Sequence, residues 1–283
     1  MTVQQPNVLV TGATGRVGSE AVRLLTAARN PARALVRDAS RAPHGAEIAV
    51  GDFDRPDTLD AAMRGIDTVL LVSPAVPAQE IAVIDSAVRH GVTHIVKVTS
   101  KASADSPVDR RRGQARIEAH LLASGVAYTL LRSNAYPQNL FALAPMVKQT
   151  RGFLMSAGDG RVGLTDARDV AAAAAAILTA PAPHAAKTYL LTGPELVTYA
   201  DVARELTDAL GYPVEYRRTS PEDHRSVMIL AGLPEPVATS NAQAFGLIAQ
   251  GDAAWLSDDV ESLTGDRPRG LHAFIAENLG DFA

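Results

Sequence analysis

Asn7-Val8-Leu9-Val10-Thr11-Gly12-Ala13-Thr14-Gly15-Arg16-Val17-Gly18 is the stretch from which the fold can be read. A short apolar run, Asn7 to Thr11, reads as a buried strand. Three glycines at three-residue spacing follow it. From Arg16 to Ala28 the apolar residues Val17, Ala21, Val22, Leu24 and Leu25 recur at helical spacing. A glycine at 12 takes the tight turn off the strand, one at 15 lets backbone approach a pyrophosphate, and one at 18 lets the helix pack closely on the sheet. The free N–H groups that open the helix attract a phosphate. Three spaced glycines alone say little, but between a first strand and its helix they point to a dinucleotide. Gly12, Thr14, Gly15, Arg16, Val17 and Gly18 are therefore candidate cofactor contacts.

Outward from this turn the same rhythm repeats. Ala32–Val36, Glu47–Val50, Thr68–Val72, His94–Val98 and Ala127–Leu131 read as further strands. Pro56–Arg64, Ala78–His90 and Arg110–Ser124 read as helices, followed by Gly65, Gly91 and Gly125. Strands that are apolar throughout, each followed by a helix, imply a parallel sheet covered on both faces. The expected fold class is α/β, a doubly wound parallel sheet of Rossmann type with a smaller mixed α/β C-terminal substrate lobe. Past Ser133 the rhythm loosens. Asp166–Thr179 and Tyr199–Leu210 read as helices, Asp166 and Thr198 as their caps, and Lys187–Leu191 as a strand. Val214–Arg217 reads as another strand, and the patches Val227–Ala231 and Ala242–Ile248 look helical. The expected division assigns 1–135, with 166–192 packing back on it, to the dinucleotide domain, and 136–165 with 193–283 to the substrate lobe.

The choice of dinucleotide is made at the end of the second strand. A carboxylate there accepts from the adenosine ribose and repels a 2′-phosphate. This chain has Arg37, followed by Arg41, and a guanidinium grips phosphate with two donors. Arg16 is expected to face the same region, which favours NADP(H) over NAD(H). Asp38, the next residue, argues the other way. After the third strand, Asp52 and Phe53 either meet the adenine or serve the local turn and helix start.

Composition narrows the function classes. The 283 residues are 47% hydrophobic and 20% charged, with a net charge of −4, so nothing suggests nucleic acid as a partner. Arg110-Arg111-Arg112 reads as a solvated helix face. With no cysteine, disulfides and thiolate catalysis are excluded, which suits a reducing, cytoplasmic compartment. Met1–Asn7 shows no secretory pattern, and the alanine-rich run Val170–Leu178 is too short to span a bilayer. His90 and His94 are separated by Gly91 at the helix end, so no metal pair is expected.

The turn Thr11–Gly18, the run Ala34-Leu35-Val36-Arg37-Asp38, Gly51-Asp52-Phe53-Asp54, Gly65-Ile66-Asp67-Thr68-Val69, Ser124 to Arg132 and Leu191-Thr192-Gly193-Pro194-Glu195 together resemble the NmrA-like, atypical branch of the short-chain dehydrogenases/reductases. Within it the chain looks most similar to NADPH-dependent quinone oxidoreductase and azoreductase-like members. The resemblance implies a cofactor running past Val72 and Ser73, Thr99 and Ser100, and Ser133 and Asn134. Ordinary short-chain dehydrogenases also carry a Tyr-x-x-x-Lys pair on the helix after the fifth strand. Here Gln114 and Glu118 occupy that turn, so an alcohol/ketone interconversion is not expected. Hydride transfer to a quinone asks less of the protein, because the product anion is stabilised and solvent can protonate it. Ser100, Lys101 and Gln114 are the catalytic candidates, and an exposed loop role remains open for Lys101. Tyr136, Gln138 and Asn139 are expected to line an irregular pocket after Pro137. The substrate implied is a small aromatic or quinonoid molecule, and the reading leaves room for a homodimer. Two other functions stay open: a non-catalytic NADP(H)-binding regulator, and a pathway enzyme for a coupling or rearrangement.

Overall fold

A computed structural model describes residues 5–283; the first four residues of the stretch Met1–Asn7 lie outside the described residues. Strands β1 (Val8–Val10), β2 (Arg33–Val36), β3 (Glu47–Val50), β4 (Thr68–Leu71), β5 (His94–Thr99) and β6 (Ala127–Ser133) alternate with helices α1 (Arg16–Ala27), α2 (Pro56–Met63), α3 (Pro77–Arg89) and α4 (Asp109–Ala123). The chain then leaves the sheet through α5 (Ala144–Thr150) and β7 (Gly152–Met155). It returns through α6 (Ala167–Thr179) to β8 (Lys187–Leu191). The sheet order is β3-β2-β1-β4-β5-β6-β8, with every pairing parallel. This is the doubly wound α/β fold expected from the alternating pattern.

Both faces of the sheet are buried over its inner strands, which carry apolar side chains in both directions, while the edge strands β3 and β8 are largely exposed. One face packs Val10, Val36, Val96 and Leu131 against Val22 and Leu25 of α1 and Val170 and Ile177 of α6. The other packs Leu9, Leu71 and Ile95 against Leu59 of α2, Ile84 of α3 and Ile117 of α4. The chain moves outward from β1 to β3 and then comes back to β4, so a crevice opens where the carboxyl ends of β1 and β4 diverge. Thr11 closes the base of this crevice, its hydroxyl donating to Val72 O at 2.9 Å and accepting from Val72 N–H at 2.8 Å.

A third core lies beyond the carboxyl edge. β7 pairs in parallel with β9 (Glu215–Arg218). Around them lie α7 (Tyr199–Leu210), α8 (Pro221–Leu230), α9 (Glu235–Ala249), α11 (Leu271–Glu277) and α12 (Leu279–Phe282), whereas α10 (Asp259–Thr264) packs Val260 into the sheet core beside α6. Phe153, Leu206, Phe274 and Phe282 are buried at the centre of this third core. Buried Asp169, in the first turn of α6, accepts from Arg269 N–H at 2.7 Å and pairs with its guanidinium. It thereby ties the C-terminal segment back to the sheet. β7 was not apparent in the sequence, since four residues without alternation carry no period. The apolar patches Val227–Ala231 and Ala242–Ile248 marked only the C-terminal parts of α8 and α9. Pro221 and Glu235 open these helices in polar sequence, with Ser220 capping α8.

Three histidines are held neutral by their surroundings. Thr129 donates its hydroxyl proton to His184 O at 2.7 Å, so it accepts from Nε2–H of buried His94 at 2.8 Å. His224, buried on α8, receives the Ser156 N–H at 3.3 Å on Nδ1, with the Ser156 hydroxyl 3.0 Å from the same nitrogen. Burial depresses His94 and His184 below the usual imidazole value and pushes His224 down to about 4. A depressed folded-state pKa means the unfolded chain binds more protons between pH 6.5 and about 4, so stability is full above this window and is lost as pH falls through it. Melting temperature should therefore drop steadily from pH 7 to pH 4.5, and His224→Gln should flatten the slope. A wild-type melting temperature constant across that range would refute this account.

Candidate functional site

The glycine turn is built by two separate constraints. Gly12 has φ +57°, and a Cβ there would lie 2.6 Å from Val72 O, on the wall of the crevice. A Cβ on Gly18 would lie 2.3 Å from Gly12 O, so α1 can pack on its own turn only through a glycine. Gly15 is different: its backbone is extended, and its Cβ would meet only Gly12 O, at 3.2 Å. The fold itself thus demands little at Gly15, whereas a phosphate passing over the turn demands much. No side chain caps α1; α2, α3 and α4 are likewise uncapped but carry Asp57, Glu80 and Asp109 in their first turns, whereas the first turn of α1 holds no acidic residue. The N–H groups of Arg16, Val17 and Gly18 are left for an external anion. Thr14 is exposed beside them.

At the end of β2, Arg37 is exposed and makes no ion pair among the described residues. The Asp38 carboxylate accepts from the Ser40 hydroxyl at 2.8 Å and from Ser40 N–H at 2.9 Å, bonds that hold it below the usual carboxylate range. Both bonds go to Oδ1, which caps the 3-10 turn Ala39–Arg41. Arg16, expected to face the region of Arg37, is engaged by the segment after β6. Its guanidinium donates to Gln138 O at 3.2 Å and lies 5.3 Å over the Phe141 ring, bridging the glycine turn to the segment after β6. Asp52 accepts from Asp54 N–H at 3.0 Å, and half-buried Phe53 packs against the Leu9–Ile95 core.

Between β4 and α4 the edge carries charge that is fully enclosed. Ser73 donates to Glu80 Oε1 at 2.6 Å, and Glu80 Oε2 lies 2.6 Å from Lys97 Nζ, with both ionic side chains inaccessible to solvent. Lys97 also donates to Val98 O at 2.9 Å. Burial pushes its ammonium pKa down against the opposing pull of Glu80. Next to this pair, Thr99 donates to Glu118 Oε1 at 2.9 Å and Arg132 to Glu118 Oε2 at 2.5 Å. Glu118 therefore braces α4 to the ends of β5 and β6. Gln114, one turn nearer the helix start, lies about 6 Å further out along the axis. It is buried and its Oε1 has no hydrogen-bond partner. Ser100, half-buried, follows β5.

The lobe reaches this edge through its 250–257 segment. Asp252 is gripped by Lys101 and Arg111, each at 2.7 Å, and Asn134 donates to Ala253 O at 3.0 Å. Burial pushes the Asp252 pKa up, but these two cations outweigh it and hold the carboxyl below its usual range. Lys101, exposed in the loop after β5, is thus an ion-pair partner of Asp252. Ser133 donates to Tyr136 OH at 2.9 Å, and burial raises the phenol pKa. Gln138 faces inward and not into an open pocket: α6 needs an acceptor for Ala167 N–H, and Gln138 Oε1 provides it at 3.2 Å. Asn139 is exposed on a 3-10 helix, Pro137–Leu143, where an irregular wall was expected.

Sequence reasoning missed Glu80, Lys97, Asp252 and the bracing role of Glu118. Lys97 left one visible signal, a cation in the middle of an apolar strand, where only a buried partner makes it tolerable. Asp252 left none, because its partners are 151 and 141 residues away in sequence. Among the described residues no helix is long and apolar enough to cross a membrane, and no group of three or more acidic or histidine side chains converges as for a metal ion.

Comparison with known proteins agrees with this geometry. The NAD(P)H azoreductase of Xenophilus azovorans is 37% identical, with 97% of this chain and 99% of that protein aligned. The NADPH-dependent quinone oxidoreductase of Escherichia coli, solved in complex with NADPH, superposes with a TM-score of 0.88 at 29% identity, covering 96% of this chain and 99% of that one. The triphenylmethane reductase of a Citrobacter species, solved with NADP(H), gives a TM-score of 0.84 at 27% identity over 95% of this chain and 99% of its own. The model of the NmrA-like family matches residues 4–271. The chain belongs to the NmrA-like family.

Proposed function

We propose that this protein is an NADPH-dependent oxidoreductase that transfers hydride to a quinone or a related conjugated aromatic acceptor. The observation that carries the reading is the uncapped start of α1 over Gly15, with unpaired Arg37 at the end of the neighbouring strand. The activities named for its azoreductase, quinone oxidoreductase and triphenylmethane reductase relatives support it. NADPH supplies the hydride; binding, orientation and charge compensation fall to the chain. The N–H groups of Arg16, Val17 and Gly18 hold the pyrophosphate, and Arg37 takes the 2′-phosphate. Arg16 closes the turn against Phe141. Val72, Ser73, Thr99, Ser133 and Asn134 form the wall along which the cofactor lies, and Asp52 and Phe53 border its adenine end.

The helix after β5 offers Gln114 and Glu118 where a Tyr-x-x-x-Lys pair would supply an acid, so the acceptor must be one whose reduced anion is stable enough to take its proton from water. Lys101 and Arg111 share the one carboxylate of Asp252, so this edge keeps a net positive charge, and charge developing on the acceptor oxygen is met by that cluster together with the neutral donors Ser100 and Gln114. Tyr136 and Asn139 face the acceptor from the segment after β6. The unit 136–165 with 193–283 serves as the substrate lobe over the nucleotide domain, 1–135 with 166–192.

Purified protein mixed with NADPH and a panel of quinone and azo acceptors should consume the nicotinamide absorbance with at least one of them. NADPH binding with no acceptor reduced would sink the reductase reading and favour a redox-sensing regulator. Arg37→Asp should weaken NADPH binding by about 30-fold, the equivalent of one charge-assisted phosphate contact, while changing NADH binding by less than about threefold. Equal losses for the two cofactors would remove Arg37 from the 2′-phosphate site.

A further inference from the structure

The turn that joins β4 to α3 is strained in a way its own sequence does not explain. Ala75 has φ +65°, in the left-handed region that a side chain disfavours. It is held there by a chain of contacts that ends in the protein interior. Ala75 N–H donates to Ser73 Oγ at 3.1 Å, Ser73 donates its own proton to Glu80 Oε1 at 2.6 Å, and Glu80 is charge-compensated by Lys97 at 2.6 Å. The single proton of the Ser73 hydroxyl is committed to Glu80 and one of its lone pairs to Ala75, so toward a ligand this side chain has no donor to offer.

The position of this turn gives the strain a use. On one side Val72 O lies against Gly12, where a Cβ would approach to 2.6 Å. On the other, Ala75 O lies against Gly113, the residue before Gln114, where a Cβ would approach to 3.4 Å. The turn thus separates the phosphate-binding glycines from the helix that carries Gln114. Strained backbone that persists beside a binding crevice needs surroundings that over-determine it, and a fully buried ion pair is such a support.

We propose that the buried Lys97–Glu80 pair is a positioning device, which through Ser73 locks Ala75 and the β4–α3 turn into the shape that receives the dinucleotide. Neither ion touches the cofactor; both act through Ser73. This rests on the NADPH-binding reading above, and it makes Glu80 and Lys97 determinants of cofactor affinity from behind the crevice wall, acting through Ser73 within it.

The test is NADPH titration by nicotinamide fluorescence, without acceptor, at a temperature well below each variant's melting transition. Glu80→Gln and Ser73→Ala should each raise the NADPH Kd about tenfold, the equivalent of one hydrogen bond to a charged group. Adding Ala75→Gly to either should restore most of the affinity, because glycine adopts the left-handed conformation without support. A merely stabilising role for the pair would leave the Kd of the folded variants unchanged, and Ala75→Gly would rescue nothing; either result overturns the proposal. Should Glu80→Gln fail to fold, Ser73→Ala leaves the ion pair in place and decides the question alone. A wild-type protein that does not bind NADPH overturns the cofactor reading as well, whereas normal wild-type binding with unaltered variants overturns only the positioning role.

Discussion

Lys97→Met is expected to lower the stability of the folded protein by about 3–5 kcal/mol, the cost of leaving a buried charge without its partner. Methionine occupies nearly the volume of the lysine stem, so no large cavity is created. The loss comes from Glu80, which has no accessible surface and would keep only the Ser73 hydroxyl. Removing both charges should be milder, because a buried ion pair contributes little beyond what well-packed apolar groups contribute in its place. Lys97→Met combined with Glu80→Met should therefore recover more than half of the single-variant loss, even though Ser73 then loses its acceptor. Urea denaturation monitored by circular dichroism reads this directly, as a midpoint lowered by about 1 M or more for the single variant. A single variant within about 1 kcal/mol of wild type would show that Glu80 finds water or another donor, and the enclosed geometry would be wrong.

The same pair shows where sequence reading stops. Strand and helix order could be read across the first half because each apolar run is bounded by a glycine or a polar cap, and because a parallel sheet needs both faces apolar. The glycine turn was legible for a stronger reason: the contact between Gly12 and Gly18 acts within seven residues, so their spacing records it, although the approach of Gly12 to Val72 O does not show in that spacing. Lys97 and Glu80 lie 17 residues apart on different elements, and nothing local in either stretch names the other. Asp38 shows the converse limit. Sequence left its carboxylate open to a ribose, and only the Ser40 hydrogen bonds show that it is already used as a cap. Gln138 and Lys101 follow the ends of β6 and β5, yet their side chains serve Ala167 and Asp252, partners supplied by chain that returns after long excursions. Position along a strand end is thus encoded locally, whereas the direction in which a polar side chain is engaged depends on what the rest of the fold delivers to it.

Gly18→Ala tests the turn at its tightest point and should be nearly as damaging as the loss of Lys97. The added methyl would stand 2.3 Å from Gly12 O and 2.7 Å from Gly12 C, and both are backbone atoms that no rotamer change can move aside. Relief requires α1 to lift off the turn, which unpacks Val22 and Leu25 from the sheet and widens the spacing of the N–H groups that meet the phosphate. The cost should reach about 3 kcal/mol, the upper range for overpacking, accompanied by loss of NADPH binding. Gly15→Ala provides the contrast that separates fold from ligand. Its backbone, φ −88° and ψ 171°, suits any residue, and its new methyl meets a single atom at 3.2 Å, so stability should change by less than about 1 kcal/mol. The NADPH Kd should nonetheless rise about tenfold or more, because the methyl stands where backbone must approach the pyrophosphate. Equal affinity in Gly15→Ala and wild type would mean that the phosphates do not cross this turn. The uncapped start of α1 would then need another explanation.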